Sequence, residues 1–324
     1  MWSKIVKNLI RAAICTLFGI SANATTLNPN IITHNVGLSS VDMEHEIERV
    51  QHQDNLLFSV EKTLSLLAQL NEFDLGCFLL RNKGLNGYWT SYLILQDKGQ
   101  FDSPLEDWLI KKAPTVLATR ERFYIFQDKA KSIIESKSSN EQINIASIPC
   151  GVLSDLLTMK FQTKAKVKFT GIDLDETSIK MAKINAENFP KMHQTQILKR
   201  DAWNLGLKDE FDIIMSNGLN IYEKDEDRLV ALYKEFYKSL KTGGKLITSF
   251  LTYPPAFSKD SPWKNVILED AQKQIALFRD ILGAKWMVYR TEKEVRQQLS
   301  EAGFVVEEVI YDSKHIFPTI IAKK

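Results

Sequence analysis

The chain is predicted to be an α/β protein: a doubly wound, seven-stranded, mostly parallel sheet with an antiparallel C-terminal hairpin, preceded by an α-helical cap. Three observations predict this. From residue 142 onward, short apolar runs alternate with longer helical patterns, as in a parallel sheet with crossover helices. The last two runs, 305–312 and 319–324, are joined by a short turn, which suits an antiparallel pair. Residues 41–80 and 104–137 instead carry apolar residues at helical spacing.

In chain order, residues 1–24 place Lys4, Lys7 and Arg11 ahead of an apolar run from Ala12 to Ile20. The run leads to Ala22-Asn23-Ala24, the layout of a secretory signal peptide. It is too short to span a bilayer. Ile5, Leu9, Ala13 and Leu17 also recur at helical spacing, so an amphipathic N-terminal helix is the alternative. Residues 25–40 are polar and turn-rich and read as a linker. Val50, Leu57, Val60, Leu64 and Leu67 suit helices. Asn82-Lys83-Gly84 and Asn86-Gly87 mark a break, followed by the aromatic segment GYWTSYLIL (87–95). Pro104 and Pro114 bracket a short helix, and 115–137 reads as a longer one. The helical cap is therefore expected over 25–140 and the sheet domain over 141–324. Within the latter, strands are expected at 142–149, 166–174, 195–203, 211–219, 245–251, 305–312 and 319–324. Helices are expected at 177–189, 226–241 (closed by Thr242-Gly243-Gly244) and 291–304 (with Gly303 near its end).

Composition excludes several classes. At 44% hydrophobic and 25% charged residues, the chain of 324 is ordinary globular protein with room for about two domains. Lys plus Arg is 42 and Asp plus Glu is 40, so no global charge suggests a nucleic-acid wrapper or polybasic membrane binder. Cys15, Cys77 and Cys150 are too few and scattered for a disulfide scaffold or a Cys-rich zinc site. The five histidines show no metal-ligand spacing, and the isolated His193 and His315 are read as structural.

In an open α/β sheet, ligands bind beyond the carboxyl ends of the strands. Those ends carry Pro149-Cys150-Gly151, Asp173-Leu174-Asp175, Asp201-Ala202-Trp203 and Ser216-Asn217-Gly218. Asp173 follows Gly151 at roughly the 20-residue spacing at which an acidic side chain meets ribose hydroxyls. Asp175 fits a helix N-cap better. A pyrophosphate-binding turn needs three glycines, and Pro149 and Leu153 stand where two of them belong. S-adenosylmethionine has no pyrophosphate and makes a weaker demand for glycine. Asp201 and Trp203 then suit its adenine; a strand-end cap and plain core packing are the alternatives for the two.

Residues 142–324 resemble the class I (Rossmann-like) S-adenosylmethionine-dependent methyltransferases. The carriers are NIASIPCG, FTGIDLD, LKRDAW, FDIIMSNG and LKTGGKLITSF, with the terminal AGF-strand-strand pattern. Ser147 stands where the family usually has an acidic residue, and one of the usual glycines survives. The whole chain is similar to bacterial methyltransferases with a helical N-terminal extension containing a GYWT…LATRERF pattern. The resemblance implies S-adenosylmethionine as cofactor and S-adenosylhomocysteine as product. It implies cofactor contacts from Pro149, Cys150, Gly151, Asp173, Leu174, Asp201, Ala202, Trp203, Asn217 and Gly218.

The cap then has to shape the acceptor pocket. Tyr88 and Trp89 are candidates to line it, with Tyr253 from the loop after the fifth strand; packing of cap on core is the alternative for the cap residues. Arg120 or Arg122 is a candidate partner for the cofactor carboxylate or for an acidic substrate, against a solvated helix face beside Glu121 and Asp128. Asn217 and Tyr222 are the catalytic candidates, with Glu223 a further candidate base, although Asn217-Gly218 is also a strong turn dipeptide. The expected reaction is methyl transfer to a small molecule. A protein or peptide acceptor and an inactive cofactor-binding protein are the alternatives. The missing glycines argue against a nicotinamide oxidoreductase. Asn217-Gly218-Leu219-Asn220 is not the Asn/Asp-Pro-Pro-Tyr/Phe signature of amino-directed nucleic-acid enzymes. No metal and no stable membrane span are expected. The cofactor is made in the cytosol, so a cytoplasmic location is expected, with export as the alternative. Mass spectrometry of the native protein checks this: an N-terminus that retains residues 1–24 is expected, and one beginning at Thr25 overturns it.

Overall fold

The computed structural model describes residues 41–137, 142–188, 194–284 and 287–324. The 1–24 segment, the linker at 25–40, Cys15 and His193 lie outside the described residues. Helices α1 (Met43–Gln51), α2 (Val60–Leu70), α3 (Asp74–Asn82), α4 (Gly87–Leu95), α5 (Pro104–Lys111) and α6 (Pro114–Glu135) come first. Then follow β1 (Gln142–Ser147), α7 (Ser154–Leu157), β2 (Lys166–Asp173), α8 (Glu176–Asn188), β3 (Gln194–Lys199) and β4 (Phe211–Ser216). The chain ends with α9 (Glu226–Ser239), β5 (Leu240–Ser249), α10 (Leu268–Ile275), α11 (Glu292–Glu301), β6 (Val305–Ile310) and β7 (Thr319–Lys323). No helix among the described residues is long and apolar enough to cross a membrane.

The strands form one seven-stranded sheet in the order β3-β2-β1-β4-β5-β7-β6. The first five pair in parallel, and β7 is antiparallel to both β5 and β6. Alternation along each strand feeds two apolar layers. Ile213 and Met215 point to one face, where Phe126, Ala130 and Ile134 of α6 and Ala182 of α8 cover them. Ile214 points to the other, under Leu229, Tyr233 and Phe236 of α9 and Val295 and Leu299 of α11. The sheet is doubly wound, as the alternating pattern predicts.

Two details differ from the sequence reading. β3 and β4 stop at Lys199 and Ser216, so Asp201 and Asn217 sit in the loops beyond. Thr242-Gly243-Gly244 does not close α9 but lies inside β5; Gly243 takes φ +77° and donates its amide to Lys324 O. The two C-terminal strands pair as the expected antiparallel hairpin at the sheet edge, with β7 against β5 and β6 outermost. β7 is buried from Thr319 to Ala322, whereas β6 exposes Glu307 and Glu308 and so takes the edge.

The helical cap is not made by the N-terminal part alone. Leu67, Leu70, Leu75, Leu79, Leu105 and Leu109 form its core together with Leu277 and Ile281, from the π-helical turn Ala276–Ile281 after α10. Trp108 Nε1 donates to Asp270 at 2.6 Å, and Thr115 N donates to Gln274 Oε1 at 2.8 Å. Helix α10 went unread in the sequence.

The cap meets the sheet domain backbone to backbone. A Cβ on Gly87, at the start of α4, would lie 2.5 Å from Gly151 Cα and 3.2 Å from Ser178 Oγ. Beside this contact Ser91 Oγ and Ser154 Oγ share a hydrogen bond of 2.8 Å. Gly87→Ala is expected to destabilise the protein by about 1–3 kcal/mol, since the obstruction is backbone that no rotamer change relieves. Urea denaturation of the variant checks this; an unchanged midpoint would show that α4 does not sit on the turn in solution.

Candidate active site at the strand ends

The order of the sheet reverses at β1, whose neighbours are β2 and β4, and a crevice is expected at this switch point. The turn after β1 is held from below. Cys150 N donates to Ile172 O at 2.9 Å, and Leu153 N to Cys150 O at 2.7 Å. The Ile148–Pro149 bond is cis, and Gly151 has φ +50°, the left-handed region in which glycine is unstrained. The Cys150 thiol is buried and its pKa is pushed well up, which makes it inert packing rather than a nucleophile.

Asp173 ends β2 facing this turn. Its Oδ2 accepts from Gly151 N at 2.8 Å, and its Oδ1 from Leu174 N at 2.8 Å and Asp175 N at 3.0 Å. A carboxylate offers about four acceptor positions, so one remains, on Oδ2. Burial raises its pKa to about 6, against the pull of those amides. Asp175 takes the capping role, accepting from Ser178 N at 2.7 Å. Ser147 finds an acid elsewhere: its hydroxyl donates to Asp155 Oδ2 at 2.6 Å. Asp155 is buried in the first turn of α7 and its pKa is likewise raised to about 6 by burial. The carboxyl that the sequence lacks at β1 is thus supplied from the helix after the turn.

At the third strand end, Asp201 is exposed and its Oδ1 accepts from Trp203 N at 3.0 Å. Ala202 and Trp203 pack on the layer beneath α9. The indole N–H donates to Arg228 O at 2.8 Å, and the Arg228 guanidinium lies 5.2 Å from the ring centre. The indole's polar edge is therefore spent on α9.

After β4, Gly218 turns at φ +90° into the short 3-10 helix Leu219–Tyr222. Asn217 Oδ1 is buried without a hydrogen-bond partner. Asn220 Nδ2 donates to Ser249 O at 2.6 Å and to the Tyr233 hydroxyl at 3.0 Å, which bolts the loop to the end of β5. Arg290, 2% exposed, holds the same loop from outside, donating to Asn220 O at 2.9 Å and Glu223 O at 2.6 Å. Burial raises the Tyr222 pKa above that of an ordinary phenol. Glu223 is occupied by Arg228 Nε at 2.8 Å.

Arg122, 5% exposed on α6, reaches the ends of β4 and β5. Its Nη1 donates to Ser249 Oγ at 3.2 Å and its guanidinium lies 4.3 Å from the centre of the Phe317 ring. Its Nη2 comes within 3.9 Å of where a Gly218 Cβ would be. Arg120 instead donates to the carbonyls of Leu93, Ile94 and Ile110, and so ties α4 and α5 to α6. Trp89 packs in the cap core, ringed by Phe78, Tyr88 and Tyr92 at 4.8–5.8 Å. Tyr88 is half-buried, with its pKa raised to about 12 by burial. Tyr253 pairs with Tyr289 at 5.6 Å. Sequence reasoning missed Asp155, Ser249, Arg290 and Phe317. Asp155 had a local signal, four residues past Gly151 in the helix after the turn. The others carry none, because their roles come from chain-distant packing. No group of three or more His, Cys, Asp or Glu among the described residues is arranged to hold a metal.

Residues 145–244 match the methyltransferase-domain family. Among curated proteins, none matches the chain. Among solved structures, a possible exported protein from Bordetella parapertussis is 37% identical, with 87% of this chain and 94% of that one covered at a TM-score of 0.81. The magnesium protoporphyrin IX methyltransferase from Synechocystis PCC 6803, solved with S-adenosylhomocysteine, is 16% identical over 74% of this chain and 94% of that one, at a TM-score of 0.49. The chain belongs to the family of the Bordetella protein, and its Rossmann-like part is the domain of a class I, S-adenosylmethionine-dependent methyltransferase.

Proposed function

We propose that the protein transfers the methyl group of S-adenosylmethionine to a small-molecule acceptor by in-line displacement, with alignment as the main catalytic device. The observation that carries this reading is the pair of unfinished acceptors flanking the switch point: the remaining position on Asp173 Oδ2 and the orphaned Asn217 Oδ1. A ribose hydroxyl completes the first. Gly151 takes its left-handed backbone without strain, and Gly87 of α4 covers the side on which a Cβ would stand. Asp201 and Ala202 lie where the adenine belongs.

When bound, the cofactor supplies a methyl group already activated by the sulfonium charge. Asn217 Oδ1 accepts from an O–H or N–H of the acceptor and turns its lone pair toward the methyl carbon. Holding the reacting atoms in line replaces a bimolecular encounter, which is worth more here than proton removal. With the cofactor bound, methyl transfer would break its carbon–sulfur bond, leave that electron pair on sulfur and release the acceptor's proton to water. Tyr222, its pKa raised by burial, keeps its proton at neutral pH and orients rather than deprotonates. Glu223, paired with Arg228, is a brace for the loop. The aromatic surroundings, Tyr222, Trp263, Tyr289 and Phe317, favour an enclosed small acceptor over a peptide. The near-zero net charge disfavours nucleic acid. We place the reaction in the cytoplasm, where the cofactor is made. Export is the second reading, favoured by the layout of residues 1–24 and by the likeness to the possible exported protein from Bordetella.

Calorimetric titration with S-adenosylhomocysteine tests the proposal. Binding is expected, with loss of at least about tenfold in Asp173→Ala and no binding of NAD. Binding of NAD in its place would revive a dehydrogenase. Affinity is also expected to weaken as pH falls through about 6, where Asp173 takes up its proton and becomes a poorer acceptor.

Asp155 gives a separate stability signature. Its folded pKa is raised to about 6 from 3.8, so its contribution is fully present below the unfolded value and is lost as pH rises through the folded one. A decline of up to about 3 kcal/mol from pH 4 to pH 7 is expected from this group, and Asp155→Asn should flatten it. Denaturant midpoints across that range for both proteins measure it.

A further inference from the structure

We propose that Arg122 is a built receptor for the carboxylate of an apolar or aromatic acid, so that the methyl acceptor is a carboxylic acid anchored by its acid group. This deepens the methyl-transfer reading and rests on it.

Arg122 is 5% exposed, and its Nε has no hydrogen-bond partner. A buried guanidinium normally sits in a carboxylate fork, because an uncompensated buried charge is strongly unfavourable. Here the side chain has one polar contact, Ser249 Oγ at 3.2 Å, and one ring face, Phe317 at 4.3 Å. Two groups favour its charged form, Tyr222 first and Asp312 second, and the Asp312 oxygens are already engaged: Oδ1 accepts from Lys314 N and Ile316 N, and Oδ2 from Phe317 N at 2.6 Å. Asp312 therefore spends its oxygens on the turn before β7, and Arg122 Nε is left without a hydrogen-bond partner. A buried guanidinium with an unsatisfied N–H is completed by the oxygen of a ligand.

The position selects which ligand. Arg122 lies toward β5 and β7, beside an apolar cluster that includes Ile221, Leu251, Ile316 and Phe317, with Tyr222 and Tyr289 packed against it. The cofactor's turn is on the other side, between β1 and β2, where Asp173 and Gly151 stand. An acid whose carboxylate meets Arg122 lays its apolar body along this cluster, next to the Asn217–Tyr222 loop. Pairing with the guanidinium withdraws charge from the carboxylate, so the acid group is the handle and the methylated atom is another.

The test uses thermal unfolding of the full chain with S-adenosylhomocysteine, titrated with sodium benzoate and, separately, with benzamide. Benzoate is expected to raise Tm saturably and benzamide not. In Arg122→Met the benzoate response is expected to disappear and Tm without ligand to rise, since a buried charge with an unsatisfied N–H is gone. Arg122→Lys keeps the charge without the fork and should keep a weakened response. Calorimetry with S-adenosylhomocysteine separates the two sources of a carboxylate. Affinity in Arg122→Met within about threefold of wild type supports the acceptor site, and a fall of about tenfold or more assigns the guanidinium to the cofactor and overturns the proposal. A benzoate response equal to that of benzamide, or unchanged in Arg122→Met, also overturns it. If the wild type binds no S-adenosylhomocysteine, the methyl-transfer reading fails, while the benzoate comparison on the free protein still decides whether Arg122 is a carboxylate receptor.

Discussion

The approach of Gly87 to Gly151 governs how the two parts of the molecule meet. Two backbones pack where a single added methyl would come within 2.5 Å of main chain. Side-chain packing between domains tolerates adjustment, but backbone against backbone does not. With α4 set on the turn after β1, Ser91 reaches Ser154, and Arg120 ties α4 and α5 to α6. α6 in turn delivers Arg122 to the ends of β4 and β5. The placement of the cap and the chemistry of the strand ends therefore share one constraint.

Around that contact the strand ends concentrate partly desolvated charge. Asp173 and Asp155 have raised pKa values, and Arg122 has one lowered to about 10, each chiefly because burial disfavours the ionised form. Backbone amides and Ser147 compensate the carboxylates. Ser249, Tyr222 and Asp312 compensate Arg122 in part, and its Nε is left over. Perturbed groups of both signs around a switch point are what ligand sites concentrate, and they support the proposed function.

The loops beyond β4 and β5 are stiffened by groups that do no chemistry. Asn220 joins the loop to Ser249 O, Arg290 grips two of its carbonyls, and Arg290 N donates to Leu251 O at 2.8 Å. The strand-end loops are thereby one unit, and Asn217 and Tyr222 are carried on it. Catalysis by alignment needs this rigidity, because a small displacement of the acceptor forfeits most of the advantage of holding it.

The amino-acid sequence alone specified the doubly wound sheet, the helices before it and the meeting of Asp173 with the turn at Gly151. Those features are local: apolar period, a strand-end acid at a set spacing from a glycine, and turn residues. Asp175 as a cap was legible for the same reason. What the tertiary structure alone decided is non-local. β7 lies inside β6 because burial, not chain order, ranks the two strands. The cap core borrows Leu277 and Ile281 from beyond β5, and Trp89, aromatic and apparently a pocket residue, is consumed by that core. In sequence Arg122 and Arg120 are equal candidates for a carboxylate partner, against a solvated helix face beside Glu121. Only the packing of α6 on β4, β5 and β7 separates them, burying Arg122 and leaving its Nε unpaired, since solvation and pairing depend on neighbours that are distant in the chain.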